Sequence, residues 1–528
     1  MNNLPTLPTG NSSFENIRLN GDVYVDKTKH ICQMISDGKY YFLSRPRRFG
    51  KSLMISTLKC IFEGKEELFE GLWIKDKGSS QNFKWEWKQH PVITLDFNGI
   101  SHQTPELLVQ GLSIAMKNTG DAYGIELKET LLKEQFKELI GNIFKKIKMP
   151  VVFLIDEYDK PLIDHLGKGD DALKIAKMNR DILKDFFGVI KDVDVVDITR
   201  FVFITGVSKF SQVSIFSELN NLTDLTMQRK YADMMGYTDK ELKEYFAIHI
   251  DAFAKEISVS PQELLLSMKQ YYNGYRFSEK DIKVYNPFSV LRAFGEQALK
   301  PYWFQTGTPS FLINLISQKR WYIPEIEKLK ATTSLFSVYD LETLHLEAIL
   351  FQTGYITIRD VRGMLYTFDY PNQEVKTAFL ENLFYTYTEN FREGSRFALL
   401  CEYLELEEFG NFIENMKAIY ASIPNILESK RDEAYFHTIF YLMVSASGVR
   451  AHSEVLTCKG RIDMVVEFKD KIYIIEFKCN QSSDEAIKQI RSKSYADPFL
   501  HKGKTINLMG INFGIEERNI TDWKHEMF

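Results

Sequence analysis

Two sets of residues in this chain have the types and spacing to handle phosphate. The first is Ser44-Arg45-Pro46-Arg47-Arg48-Phe49-Gly50-Lys51-Ser52, which joins a short apolar run, Tyr40–Leu43, to a helical pattern. Its Gly-Lys-Ser ending is the end of a nucleotide-phosphate loop. Gly50 lets the backbone curl so that N–H groups face phosphate oxygens, and the following helix N-terminus adds partial positive charge. In such a loop Lys51 reaches the β- and γ-phosphates and the Ser52 hydroxyl binds Mg²⁺. The usual first glycine is absent and Arg45 takes its place. Arg45, Arg47 and Arg48 either contact phosphate themselves or narrow the loop, and Phe49 stands among them as a candidate nucleotide contact. The matching acidic half is Val151-Val152-Phe153-Leu154-Ile155-Asp156-Glu157. Asp156 is placed to hold Mg²⁺ through Ser52 or water, and Glu157 to polarise the attacking water. Asp159 assists or caps a turn. A third apolar run, Phe201–Thr205, ends near Ser208, so Thr205 or Ser208 is a candidate sensor of the γ-phosphate.

The second set is Asp463, Glu476 and Lys478. Two carboxylates at the end of a hairpin can share one or two Mg²⁺ ions, hard cations that seek oxygen ligands. Bound metal lowers the pKa of a water and stabilises charge on a phosphorane-like transition state. Strand side chains alternate, so Glu476 and Lys478 share a face, and Lys478 can orient the attacking water. The carbonyl of Phe477 is a possible further ligand, and Glu433, at the start of the preceding helix, a further metal-site acid.

Elements must position these groups. Residues 1–250 alternate continuous apolar strands (Tyr40–Leu43, Val92–Phe97, Val151–Ile155, Phe201–Thr205) with helical patterns (Ser52–Phe62, Glu106–Met116, Leu131–Ile147), as a parallel sheet covered on both faces requires. Residues 251–374 read as a mostly helical connecting domain, with helices at Pro261–Tyr271 and Leu341–Leu350. Residues 375–528 read as helices (Val375–Phe391, Glu405–Ser422, Glu433–Ser445), then strands Val449–Thr457, Arg461–Phe468 and Lys471–Phe477, a helix Asp484–Tyr495 and a strand Thr505–Phe513. Lys469-Asp470 is a hairpin turn between the second and third strands. The order is α-β-β-β-α-β.

Arg45–Ser52, Ile155-Asp156-Glu157-Tyr158-Asp159 and Thr205-Gly206-Val207-Ser208-Lys209-Phe210 resemble the bacterial AAA-ATPase-like proteins, as do Tyr24–Thr28 and Tyr272-Asn273-Gly274-Tyr275. These are P-loop ATPases that usually carry a C-terminal PD-(D/E)xK nuclease-like domain, the group whose signature Asp463, Glu476 and Lys478 match. The resemblance covers essentially the whole chain. It implies an ATP-binding α/β domain with Tyr24–Thr28 near the nucleotide, and a restriction-endonuclease-like domain in which Gln489 and Tyr495 face back toward the carboxylates. Tyr495 stands six residues beyond Gln489 rather than the four found in RecB-like nucleases. ATP and Mg²⁺ are the expected cofactors, and nucleic acid, DNA first, the expected partner. Self-association is open. The competing reading is a switch in which ATP binding without turnover toggles a C-terminal domain that grips nucleic acid or a protein without cutting it.

Composition bounds these readings. The 528 residues are 44% hydrophobic and 26% charged, as in folded globular chains. Net charge is −5, which excludes a protein that coats nucleic acid along its whole surface. The local picture differs: Arg45, Arg47, Arg48, Lys51 and Lys59 fall in one stretch without an acid. Five cysteines without a CxxC pair argue against disulfides or a cysteine zinc site and fit a reducing cytoplasm. No secretion signal or membrane-length apolar run is expected. His437 and His452 read as structural, and no GxSxG nucleophile motif is present.

Overall fold

The computed structural model describes residues 4–76, 84–209, 221–305, 312–313, 316, 323–332, 335, 345–387, 394–423, 433–447 and 449–528. They form two compact units: Met1–Asn314 with Lys330–Glu374, and Leu315–Leu329 with Val375–Phe528. Most of the stretch expected as a connector therefore belongs to the first unit. Phe210 and residues 341–344 and 388–391 of the expected elements lie outside the described residues.

The first unit is built on β1 (Tyr40–Ser44), β2 (Val92–Asp96), β3 (Val151–Asp156), β4 (Thr199–Gly206) and β5 (Thr223–Asp224), paired in the order β2-β3-β4-β1-β5. All pairings are parallel. Every residue of β1 and β3 is buried, as expected for strands covered on both faces. Between the loop strand β1 and the acidic strand β3 lies β4, with Leu43 opposite Thr205 and Ile155 opposite Ile204. The helix Lys51–Phe62 follows β1, and Pro105–Ala122, Leu132–Ile147 and Asp170–Gly188 supply the other long helices. Thr104 caps Pro105–Ala122 by accepting from the Leu107 N–H.

Beyond residue 250 the first unit has helices Pro261–Tyr272, Pro287–Glu296 and Leu346–Thr353. It also has a three-stranded antiparallel sheet of β6 (Lys330–Thr332), β7 (Thr357–Arg362) and β8 (Leu365–Asp369), in the order β6-β8-β7. That sheet adds three short strands to a stretch whose other regular elements are helical. Its hairpin turns at Gly363, which adopts φ 62°.

The second unit holds a sheet of β9 (Arg450–Thr457), β10 (Gly460–Glu467), β11 (Lys471–Cys479), β12 (Thr505–Gly514) and β13 (Asn519–Met527), in the order β13-β12-β11-β10-β9. The pair β11–β12 is parallel and the rest antiparallel. The expected α-β-β-β-α-β order holds, with β13 added as an edge strand. The expected helix Glu405–Ser422 is broken: Gly394–Glu405 ends and Phe409–Ser422 begins on either side of Glu407, which adopts φ 61°.

Gly274 of the Tyr-Asn-Gly-Tyr turn adopts φ 109°, and a Cβ there would collide with the Pro371 carbonyl oxygen. Gly274→Ala therefore lowers the Tm of the first unit by roughly 5–15 °C, measured by differential scanning calorimetry.

Candidate functional site

The phosphate loop begins inside the first unit. The Arg45 N–H continues the sheet by donating to the Gly206 carbonyl at 3.2 Å. The Arg45 side chain then turns into the interior and is 1% exposed. Its guanidinium donates to the carbonyls of Ser44 (2.9 Å), Thr226 (2.9 Å) and Tyr231 (3.3 Å), and lies 4.2 Å from the Phe277 ring centre. Burial pulls its pKa down to about 9. The expectation that Arg45 meets phosphate is thus corrected: its two terminal nitrogens donate to backbone carbonyls, its Nε is buried without a hydrogen-bond partner, and the side chain does not line the pocket.

The next residues are gripped one by one. Pro46 lies against Gly354, where a Cβ would come within 2.7 Å of the proline ring. The Arg47 carbonyl accepts from Trp303 Nε1 at 3.0 Å. Arg48 adopts φ 67° and its guanidinium sits 4.8 Å from the Phe288 ring centre. Phe49 is buried edge-on to Tyr275 (4.8 Å) and Phe277 (5.3 Å), so its ring is an anchor rather than a free nucleotide contact. Gly50 takes φ 88° and caps the helix Lys51–Phe62 without a side-chain bond, which leaves the helix N-terminus open to an anion. Lys51 Nζ donates to the Arg45 and Pro46 carbonyls, each at 3.1 Å, so the loop curls around a buried ammonium.

Arg47, Arg48, Phe49, Gly50, Lys51 and Ser52 line a cavity of about 450 Å³, within the size range of ligand pockets. Glu157, Asn98 and Lys160 line it too, as do Tyr24, Val25 and Lys27 of the segment expected near the nucleotide. Asp26 instead accepts from the Thr28 N–H (2.8 Å), the Thr28 hydroxyl (2.7 Å) and the Trp73 N–H (2.7 Å), fixing that segment. The sequence reading missed Asn98 and Lys160. The signal available was position: both follow the carboxyl ends of neighbouring strands, β2 and β3.

Asp156 is buried, and burial raises its pKa to about 6 against the opposing hydrogen bond from Ser52 and charge of Lys51. Burial likewise lowers the Lys51 pKa, opposed by Glu157, Asp156 and Asp159. Ser52 and Asp156 are thus adjacent oxygen donors beside a buried cation, a set that fits Mg²⁺. Glu157 adopts φ 50°, a costly conformation for a residue with a Cβ, and its N–H donates to Asp156 Oδ1 at 3.0 Å.

Thr205 and Ser208 do not face the cavity. The Thr205 hydroxyl is buried and donates to the Leu43 carbonyl at 2.8 Å. The Ser208 hydroxyl and N–H, at 2.6 and 2.7 Å, and the Val207 N–H, at 3.1 Å, all donate to Asp159 Oδ2. This corrects the γ-sensor expectation and settles Asp159 as the clamp that closes the end of β4. Gly206 makes room for it, since a Cβ there would stand 2.5 Å from Asp159 Oδ1.

The carboxylates of the second unit sit on β10 and β11, whose register pairs Met464 with Ile475 and so brings Asp463 and Glu476 to facing positions. Asp463 Oδ2 accepts from the Phe477 N–H at 2.8 Å. Glu476 is 1% exposed; Oε1 accepts from Gln489 Nε2 and lies 3.5 Å from Lys478 Nζ. Glu476 Oε2 is buried without a hydrogen-bond partner. Burial and the Asp463 charge push the Glu476 pKa up to about 8; burial pushes Asp463 up to about 6, with Glu433 and Glu454 adding to it. A buried and a half-buried carboxylate with an orphaned oxygen fit a hard divalent cation. The Phe477 carbonyl accepts from Lys478 Nζ at 3.0 Å.

Glu433 is exposed, and among the described residues no three His, Cys, Asp or Glu side chains converge as a metal cage. The Glu433 charge acts on Asp463, so it stands near the carboxylate pair. Tyr495 is buried with its hydroxyl against Gly460, where a Cβ would stand 2.8 Å away, so it braces the turn that opens β10. His437 Nε2 lies 3.1 Å from the Asp463 carbonyl, a structural tie to the same strand.

A five-stranded parallel sheet with a Gly-Lys-Ser loop facing an acidic strand defines an α/β ATPase-like unit, here followed by a nuclease-like mixed sheet. A family model described as predicted AAA-ATPase matches residues 8–216, and one described as PD-(D/E)XK nuclease superfamily matches residues 431–523. A protein of Azotobacter chroococcum mcd 1, described as "Uncharacterized protein in vnfD 5'region", is 35% identical over 527 residues, 97% of each chain. The chain belongs to this family of predicted AAA-ATPases with a PD-(D/E)XK nuclease superfamily domain. No helix among the described residues is long and apolar enough to cross a membrane.

Behind the loop, Trp303 donates its backbone N–H to Glu374 Oε1 at 2.7 Å, and the Ser289 hydroxyl donates to the same carboxyl. Burial raises the Glu374 pKa from 4.5 to about 8. Between those values the native state holds a proton that the unfolded chain has lost. Its stabilising contribution is therefore complete below about pH 4.5 and is lost as pH rises toward about 8, at up to about 1.4 kcal/mol per pH unit. Urea unfolding across that window should show the slope in the wild type and lose its Glu374 part in Glu374→Gln.

Proposed function

We propose that the first unit binds and hydrolyses ATP, and that this controls a Mg²⁺-dependent nuclease in the second unit acting on nucleic-acid phosphodiesters, DNA foremost. The observation that supports the ATPase half is one cavity of about 450 Å³ lined by Lys51, Ser52 and Glu157, with Asp156 hydrogen-bonded to Ser52 and facing the Lys51 charge. In hydrolysis the water oxygen bonds to the γ-phosphorus as the bond to the β–γ bridging oxygen breaks. The electron pair leaves with ADP, and Glu157 takes the water proton before it passes to phosphate and solvent. Lys51 and the N–H groups of the loop hold the phosphate oxygens. The nuclease half is supported by Asp463, Glu476 and Lys478 facing one another, with Gln489 fixing one Glu476 oxygen and the other unpaired. Mg²⁺, when bound, neutralises phosphate charge at Ser52 and Asp156 and activates water at Asp463 and Glu476. Lys478 orients that water against the scissile phosphate. The reading places the protein in the cytoplasm, where ATP and nucleic acid meet.

Full-length protein incubated with DNA and Mg²⁺, with and without ATP, tests both halves. Glu157→Gln should lower kcat for phosphate release by about 10²–10³-fold, and Lys51→Ala should abolish it. Asp463→Ala should abolish cleavage while leaving phosphate release intact. ATP-dependent retention of DNA without any cleavage would replace the nuclease half with the switch.

A further inference from the structure

Glu157, the residue just beyond the end of β3, lines the cavity, and Lys160 lines it three residues further on. β2 and β3 are neighbours in register, with Asp96 opposite Asp156, and the Phe97 N–H donates to the Asp156 carbonyl at 3.2 Å. The chain leaving β2 therefore carries Asn98, and the chain leaving β3 carries Glu157 and Lys160, to the same edge of the sheet. All three line the cavity. The Lys160 N–H donates to the Glu157 carbonyl at 3.0 Å, so its position is tied to that of the candidate water-polarising acid.

The Lys160 side chain is held in place. Its Nζ lies 3.1 Å from Asp164 Oδ2, and that same oxygen lies 2.9 Å from Nε2 of His102. His102 is buried, and its Nδ1 is 2.7 Å from the Ile100 carbonyl. The His102 carbonyl accepts from Asn179 Nδ2 at 3.0 Å and faces His165 Nε2 at 2.9 Å. An ordinary i,i+4 ion pair on a helix surface needs no such scaffold. Here a chain of contacts runs from the half-buried Lys160 and Asp164 to the buried His102 and holds one lysine beside Glu157.

We propose that Lys160 is a catalytic residue that contacts the γ-phosphate in cis, supplying from the chain's own acidic strand end the positive charge that many P-loop enzymes borrow from a neighbouring subunit. Asp164 and His102 are its positioning residues. The inference rests on the reading of the cavity as an ATP site. A cation at this place meets the charge that accumulates on the γ-phosphoryl oxygens as the bond to ADP loosens, where such groups are worth about 10³–10⁵ in rate. It also discriminates ATP from ADP, since ADP has no γ-phosphate for it to meet.

The test is calorimetric titration of the full chain with Mg·ADP and with a Mg-bound non-hydrolysable ATP analogue, together with steady-state hydrolysis. Lys160→Ala should bind ADP within about twofold of wild type, lower the preference for the ATP analogue over ADP by about tenfold, and lower kcat by about 10²–10³-fold. Lys160→Arg should restore most of that preference, and Asp164→Asn should lower kcat with KM little changed. An unchanged preference and kcat in Lys160→Ala would make the residue a plain surface ion pair and overturn the proposal. Equal loss of ADP and analogue binding would also overturn it, in favour of a structural role. A wild type that binds neither nucleotide would overturn the ATP reading itself, which separates the two failures.

Discussion

The first unit depends on the buried guanidinium of Arg45. A phosphate loop must curl tightly, and glycines usually make that curl without strain. Here Arg45, Pro46, Arg47, Arg48 and Phe49 fill the curl with side chains, and of its two left-handed positions, Arg48 and Gly50, one is a glycine. Desolvating the Arg45 guanidinium is costly, and its hydrogen bonds to three carbonyls and its place over the Phe277 ring face offset that cost while giving the loop a defined path. It ties the carbonyls of residues 44, 226 and 231 to one point and fixes where the loop leaves β1. The other loop residues are then held from outside by Gly354, Trp303, Phe288 and the Tyr275–Phe277 pair.

The two candidate centres share one physical device. Each places carboxylates at the ends of buried strands, where desolvation raises the cost of negative charge. In the first unit the compensation is built in, as the Lys51 ammonium and the Ser52 hydroxyl beside Asp156. In the second it is incomplete. Lys478 and Gln489 serve one oxygen of Glu476, while the other has none, and both Asp463 and Glu476 are pushed toward the neutral form. A site so arranged gains most from an added cation.

The strands and the order of chemistry-bearing residues were legible because buried parallel strands are continuous apolar runs and their polar ends are conspicuous. The Gly-Lys-Ser ending points to Lys51 and Ser52, the acidic end of an apolar run to Asp156 and Glu157, the Asp and Glu-x-Lys spacing with strand alternation to Asp463, Glu476 and Lys478, and the family resemblance to Gln489. The failures have a common cause. Arg45 and Thr205 are polar residues beside a phosphate loop, and nothing local to the sequence distinguishes a side chain that turns inward to a backbone carbonyl from one that faces a ligand. Their acceptors, Thr226 and Tyr231 for Arg45, come about 180 residues later. The β7–β8 hairpin was hidden among aromatic turns, and β13 among charged residues whose alternation is weak. Lys160 belongs to no motif, and only its position just past the end of β3, beside β2, brings it to the cavity wall.

The most direct measurement is a crystal structure of the full chain with a non-hydrolysable ATP analogue and Mg²⁺. The predicted result has the β- and γ-phosphates on the backbone N–H groups of Gly50–Ser52, Lys51 Nζ against their oxygens, and the Mg²⁺ between Ser52 and Asp156, with the Arg45 guanidinium still on its three carbonyls. Nucleotide bound elsewhere, or Arg45 swung out to the phosphates, would contradict the account of a loop that replaces glycines with anchors.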